Sequence, residues 1–178
     1  RMLKSGALPG ESVVATVMSN LGMHHALRAA GVGVHTTPVG DRHVVQAMRE
    51  HGFALGGEQS GHTLFADHEL VGDGLYTGLR LLAESGDQPM SEAFAAFQRF
   101  PQKLINIAVR DKPDLSSIPV IAEKQREIDG LLGENGRLLL RYSGTEPKCR
   151  VMVEAHDRGL CDRLCDELAA LIKAEIGA

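Results

Sequence analysis

The sequence predicts two units of different class. A three-layer α/β unit built on a parallel sheet covers residues 1–98. An α+β unit, with an antiparallel sheet and helices on one face, covers residues 99–178. Three observations predict this. Up to Gly57, apolar runs and helical stretches alternate as strand, helix, strand, helix, strand, the pattern of a parallel layered sheet. From Lys103 the strands alternate in character or come as a pair around a short turn. The last stretch repeats Leu160, Leu164, Leu168, Leu171 and Ile172 at helical spacing.

The first unit opens with Met2 to Gly10, which reads as a helix tail and a loop ending in Pro9-Gly10. Ser12 to Ser19 is valine-rich without alternation, as a strand buried on both faces would be. Asn20 has the chemistry of an N-cap for a helix Leu21 to Ala30, which Gly31 stops. Val32 to Thr36 is a second strand. Asp41 reads as the cap of a helix His43 to His51, closed by Gly52. A third strand, Ala54 to Gly57, delivers its following loop at the C-terminal end of the sheet, where ligands of open α/β sheets gather. Asp73 caps an amphipathic helix Gly74 to Ser85, and Ser91 caps a short one, Glu92 to Phe97. The boundary falls between Gln98 and Gln102.

In the second unit Lys103 to Val109 is a strand with Leu104, Asn106 and Ala108 on one side. Ile118 to Leu132 is a helix with Pro119 in its first turn, where the missing N–H costs nothing. Strands Arg137 to Arg141 and Lys148 to Ala155 flank a short loop. Arg158 to Ile176 is the final helix. Along the second of those strands Arg150 falls opposite to Val151 and Val153, which should be core.

Composition excludes several functions. The 178 residues carry a formal net charge of −4, 43% hydrophobic content and no tryptophan. Acids and bases are mixed, so there is no basic face for nucleic acid, and sparse aromatics argue against stacking on single-stranded bases. No apolar run approaches the roughly 20 residues that cross a bilayer. Three cysteines without close patterning fit a reducing cytoplasm rather than a disulfide framework. The chain opens on Arg1 rather than on an initiator methionine, as a cut or engineered start would. Metal is not expected. His24 and His25 are adjacent and diverge on a helix, no sulfur or carboxylate joins His43 to His51, and the acidic stretch Asp67, Glu69, Asp73 lacks a ligand rhythm.

Two loops carry chemistry. Arg141-Tyr142-Ser143-Gly144-Thr145-Glu146-Pro147 places an arginine, two hydroxyls and a glycine between two strands. A positive φ at Gly144 would turn neighbouring amides inward as an anion nest, and Arg141 offers a planar fork to phosphate oxygens. Arg150, beside the loop, could add a second positive charge or instead pair with Glu154. Ser143 and Thr145 offer hydroxyls to the same anion, and Glu146 would hold Lys148 or an arginine. The alternative is a hairpin turn with an incidental arginine. Gly56-Gly57-Glu58-Gln59-Ser60-Gly61-His62 combines flexible backbone with a carboxylate, a hydroxyl and an imidazole, a set suited to a polyhydroxylated ligand. A polar surface loop is the alternative there.

Together the two loops resemble the α-D-phosphohexomutase superfamily. The first is similar to its phosphate loop in the fourth domain, and Gly57 to His62 to its sugar loop in the third. Gln59, Val39-Gly40-Asp41-Arg42 and Arg150-Val151-Met152-Val153-Glu154 are most like the phosphoglucosamine mutase branch, while Tyr142 departs from the motif. The resemblance implies an N-terminally truncated third domain that binds sugar through Glu58, Ser60, His62 and Asp41. It implies a fourth domain that binds phosphate through Arg141, Ser143, Gly144, Thr145 and Arg150. Neither a Thr-Ala-Ser-His-Asn-Pro serine loop nor an Asp-Gly-Asp-x-Asp-Arg metal loop occurs. The chain is therefore expected to hold no catalytic residue and no metal, and to be inactive alone. The Mg2+ and phosphoserine of the whole enzyme lie in N-terminal domains of the same chain, its partners with the phosphosugar and, in some cases, a second copy. The resemblance leaves open a phosphomannomutase or phosphoglucomutase half, or a non-enzymatic phosphosugar-binding module.

Overall fold

The computed structural model describes residues 1–93, 95 and 97–178. These divide into two compact units, Arg1–Arg99 and Phe100–Ala178. The first contains β1 (Ser12–Thr16), α1 (Leu21–Ala29), β2 (Gly33–Thr37), α2 (Asp41–His51), β3 (Leu55–Gly57), β4 (Thr63–Phe65), α3 (Gly74–Ser85) and α4 (Met90–Ala93). Its sheet runs β2-β1-β3-β4. β1 lies parallel to β2 and β3, and β4 returns antiparallel to β3. An antiparallel edge on a parallel sheet is a common variant. Three residues are too few for any periodicity to announce β4 in the sequence. Its effect is that residues 58–62 form a hairpin loop rather than a strand-to-helix crossover.

Local chemistry explains most boundaries. Asn20 Oδ1 accepts the Gly22 N–H at 3.0 Å, and Asp73 Oδ1 accepts the Tyr76 N–H at 2.9 Å, both N-cap bonds. Gly52 closes α2 in the left-handed region, φ 69°. Asp41 corrects the expectation. It is the first residue of α2, with its carboxylate on the Arg42 N–H at 2.7 Å, and Gly40, φ 124°, occupies the cap position without a capping side chain. Ser91 likewise lies inside α4 rather than capping it. The helix expected over Glu92 to Phe97 includes residues 94 and 96, which lie outside the described residues. Met2 to Gly10 forms hydrogen-bonded turns, beginning with Ser5 N–H on Arg1 O at 3.0 Å, rather than a helix tail. α2 packs Val44, Ala47 and Met48 on Val14 and Leu64. Gly56 permits this approach, because a Cβ there would stand 2.6 Å from Val44 Cγ1 and 2.7 Å from Met48 Sδ.

The second unit contains β5 (Gln102–Ala108), α5 (Pro119–Leu132), β6 (Gly136–Tyr142), β7 (Lys148–Ala155) and α6 (Arg158–Ile176). Its antiparallel sheet runs β5-β7-β6. Val151 and Val153 face Ile121, Ile128, Leu164, Leu168 and Ile172 in one core, so both helices cover the same face. Asp157 caps α6 through the Leu160 N–H at 2.7 Å. Cys149, Cys161 and Cys165 are free thiols buried in this core. Burial pushes Cys149 and Cys165 up to about 11, so they act as small apolar side chains. The sheet's other face presents the row Asn106, Arg150, Arg141, one residue from each strand in register.

Candidate functional site

The β6–β7 loop is built from the sheet upward. Register sets Arg141 directly opposite Arg150. Like charges opposed across a ladder repel. Burial first, and then the Arg150 guanidinium, push the Arg141 guanidinium down from its ordinary value. Both stay charged, because a guanidinium is not deprotonated in proteins. Among the described residues no acidic side chain pairs with Arg141. Arg150 has a partial partner, with Nη2 at 3.3 Å from Glu146 Oε2 and 3.5 Å from Ser143 Oγ. Its Nε is buried, with no hydrogen-bond partner among the described residues. The Arg150–Glu154 pair is not formed. Glu154 is fully buried and takes Arg137 Nε at 2.6 Å, four residues further along β7.

Ser143 is the buried pivot of the loop. Its N–H donates to Lys148 O at 2.8 Å, its carbonyl accepts Lys112 Nζ at 2.7 Å, and its Oγ accepts the Glu146 N–H at 3.3 Å. Glu146 Oε1 holds Lys148 Nζ at 2.6 Å, and that bond keeps its carboxyl below the ordinary carboxylate range. Gly144 corrects the expectation of a positive φ. It is absent from the positive-φ glycines, and a Cβ added to it would meet nothing within 4 Å. The opening of the loop therefore depends on flanking bonds rather than on a left-handed residue. Lys112 went unnoticed in the sequence, where only its place in a Lys-Pro loop ahead of a helix marked it.

The β3–β4 loop is held differently. Glu58 N–H donates to His62 O at 2.9 Å and Gly61 N–H to Glu58 O at 3.1 Å, with Gly61 at φ 103°. The Glu58 carboxylate, only 10% exposed, accepts the Gly40 N–H at 2.8 Å through Oε1 and lies 3.8 Å from His62 Nδ1 through Oε2. It thus ties Val39-Gly40-Asp41-Arg42 to the loop and keeps acceptor capacity for a ligand. Ser60 Oγ and His62 Nδ1 are 3.2 Å apart at the exposed tip. Asp41 stands next to the tethered Gly40. Glu58, Gln59 and His62 line a cavity of 430 Å³ together with apolar walls such as Val13, Leu27 and Leu55 and further polar groups from Asn20, Thr63 and Arg99.

The structure thus gathers Glu58, Ser60 and His62 in one loop with Asp41 close by, and Arg141, Ser143 and Arg150 around another. Among the described residues the Thr145 side chain has no hydrogen-bond partner. Among the described residues no three His, Cys, Asp or Glu side chains are grouped as a metal site. Asp67 is held by Arg80 at 2.8 Å and Asp73 by its capping bond. No described helix is long and apolar enough to cross a membrane.

Known proteins match along most of this length. Residues 1–100 match the model of the phosphoglucomutase/phosphomannomutase alpha/beta/alpha domain III, and residues 104–171 that of the C-terminal domain of the same family. A phosphoglucosamine mutase of Frankia alni is 49% identical over 99% of this chain and 39% of its own length. One of Chlamydia pneumoniae is 49% identical over 98% and 38%. The crystal structure of Aspergillus fumigatus N-acetylphosphoglucosamine mutase in complex with GlcNAc-6P and magnesium superimposes with a TM-score of 0.73. It is 23% identical and is covered over 92% of this chain and 38% of that one, a likeness of fold. The chain spans about two fifths of the length of these relatives.

Proposed function

Since the chain belongs to the phosphoglucomutase/phosphomannomutase family, across its domain III and C-terminal domain, we propose that it is the substrate-recognition part of a phosphoglucosamine mutase. The whole enzyme would interconvert glucosamine 6-phosphate and glucosamine 1-phosphate in the cytoplasm, through a phosphoserine and a bisphosphate intermediate. The serine and the magnesium loop belong to the rest of the protein, and no step on this chain is assigned to magnesium. Here the work is binding and orientation. Arg141 and Arg150 hold the phosphate that is not reacting, helped by the Ser143 and Thr145 hydroxyls and the amide of Gly144. Glu58, Ser60, His62 and Asp41 read the sugar. Firm capture of the remote phosphate lets binding energy orient the reacting end.

The observation that carries this reading is the opposed pair Arg141 and Arg150, one without an acidic partner and the other with an orphaned buried Nε. A phosphate dianion offsets the repulsion and supplies acceptors to both guanidinium groups. Calorimetric titration with glucosamine 6-phosphate and inorganic phosphate tests it. Arg141→Ala should remove most affinity for both, and an unchanged affinity overturns the phosphate site. The names of the 49% identical relatives favour the amino sugar over glucose or mannose phosphates. Side-by-side assay of amino and neutral sugar phosphates on the whole enzyme decides between them. Reading the upstream coding sequence for the serine and metal loops separates an enzyme from a phosphosugar-binding module.

A further inference from the structure

Tyr142 departs from the phosphate motif, yet its hydroxyl has a definite partner. It donates to the Pro113 carbonyl at 2.8 Å. From the same segment, Lys112 Nζ donates back to the Ser143 carbonyl at 2.7 Å. Two adjacent residues of the 111–114 loop are thus bonded to two adjacent residues of the anion loop, in opposite senses. We infer that Tyr142 and Lys112 are positioning residues, a two-point clamp that holds the anion loop in its binding shape before any ligand arrives. The inference rests on the phosphate reading of that loop.

The loop needs such a device. A Cβ added to Gly144, at its centre, would meet nothing within 4 Å, so no neighbouring group crowds that position, and glycine itself restricts its backbone least of all residues. The chain must turn between Tyr142 and Lys148 while keeping Ser143 buried beneath Arg150. Anion sites gain affinity when their donors are preorganised, because less ordering is left for the ligand to impose. The Tyr142 ring also packs on the core, so the hydroxyl is delivered from a fixed base. A tyrosine phenol is protonated at neutral pH, and burial raises that of Tyr142 further, so it stays a donor. Neither side chain has to touch phosphate for this role.

The experiment uses this chain and inorganic phosphate, with affinity read from NMR amide shifts and loop order from amide hydrogen exchange without ligand. Tyr142→Phe keeps the ring and the charge and removes one bond. It should raise the phosphate Kd roughly three- to tenfold, the scale of one lost neutral hydrogen bond. It should also speed exchange at residues 143–146 by more than any fall in the urea midpoint accounts for. Lys112→Met should act in the same direction, and Lys112→Arg, which can still donate to the Ser143 carbonyl, should restore slow exchange. If exchange at 143–146 and phosphate Kd stay at the parent values in Tyr142→Phe while Arg141→Ala abolishes binding, the clamp is overturned and the phosphate site stands. If Arg141→Ala leaves phosphate binding intact, the phosphate reading falls. The ligand-free exchange of Tyr142→Phe then still decides whether the two bonds order the loop.

Discussion

The two loops differ in what holds them. The anion loop springs from strands of seven and eight residues, β6 and β7, over a single core that two helices seal. The 111–114 segment braces it twice, through the Lys112 ammonium on the Ser143 carbonyl and the Pro113 carbonyl under the Tyr142 hydroxyl. The sugar loop sits on two strands of three residues each. Outside its own hairpin the Glu58 carboxylate tethers it to Gly40, and its Ser60 and His62 are exposed at the tip. One loop is braced from outside and the other chiefly by its own hairpin. On the function proposed above, that division would suit a ligand whose remote phosphate is a constant anion and whose sugar is the part to be told apart.

The comparison can be broken at its foundation. Leu164→Ala cuts into the sealed core beneath β7, where Leu164 is fully buried, and should cost about 2–5 kcal/mol. Hydrogen exchange should report the loss at β7 amides and leave β1 amides unchanged; equal loss in both strands would mean the units do not differ in support. Arg141→Ala comes next, weakening phosphate roughly ten- to hundredfold, the scale of a charged hydrogen bond. Glu58→Ala sharpens the contrast. By removing both a sugar acceptor and the Gly40 tether it should weaken glucosamine 6-phosphate roughly three- to tenfold, with inorganic phosphate unaffected. Equal loss of both ligands counts against a sugar role. The smallest effect concerns Glu146. Its carboxyl is depressed by Lys148, so the pair is formed above the unfolded carboxyl value and is lost as pH falls through the folded one. An NMR titration should find its midpoint below that of a free glutamate, and a midpoint at the ordinary value removes the pairing.

Much of this was legible because the deciding chemistry is local. Asn20, Asp73, Gly52 and Pro119 announce helix ends through their own side chains or backbone freedom. The stripe of α6 and the alternation at Val151 and Val153 place the core directly. What stayed hidden is long-range. β4 exists because a three-residue segment pairs with β3, and Gly40 displaced Asp41 from the cap position while its amide is taken by a carboxylate from another loop. Lys112 meets Ser143 and Tyr142 meets Pro113 across about thirty positions, and no spacing rule reaches that far. Gly144 misled because glycine permits a positive φ without requiring one.

The facing guanidiniums of β6 and β7 also set how the isolated chain will behave in a test tube. If the proposed phosphate site is right, an unliganded fold whose repulsion is offset only in part, by Glu146 on Arg150, would become more heat-resistant when a multivalent anion binds there, by mass action alone. Its melting temperature should therefore climb with the logarithm of phosphate or sulfate concentration and ignore chloride at matched ionic strength. Two preparations of the same protein stored in different buffers would then give different melting curves.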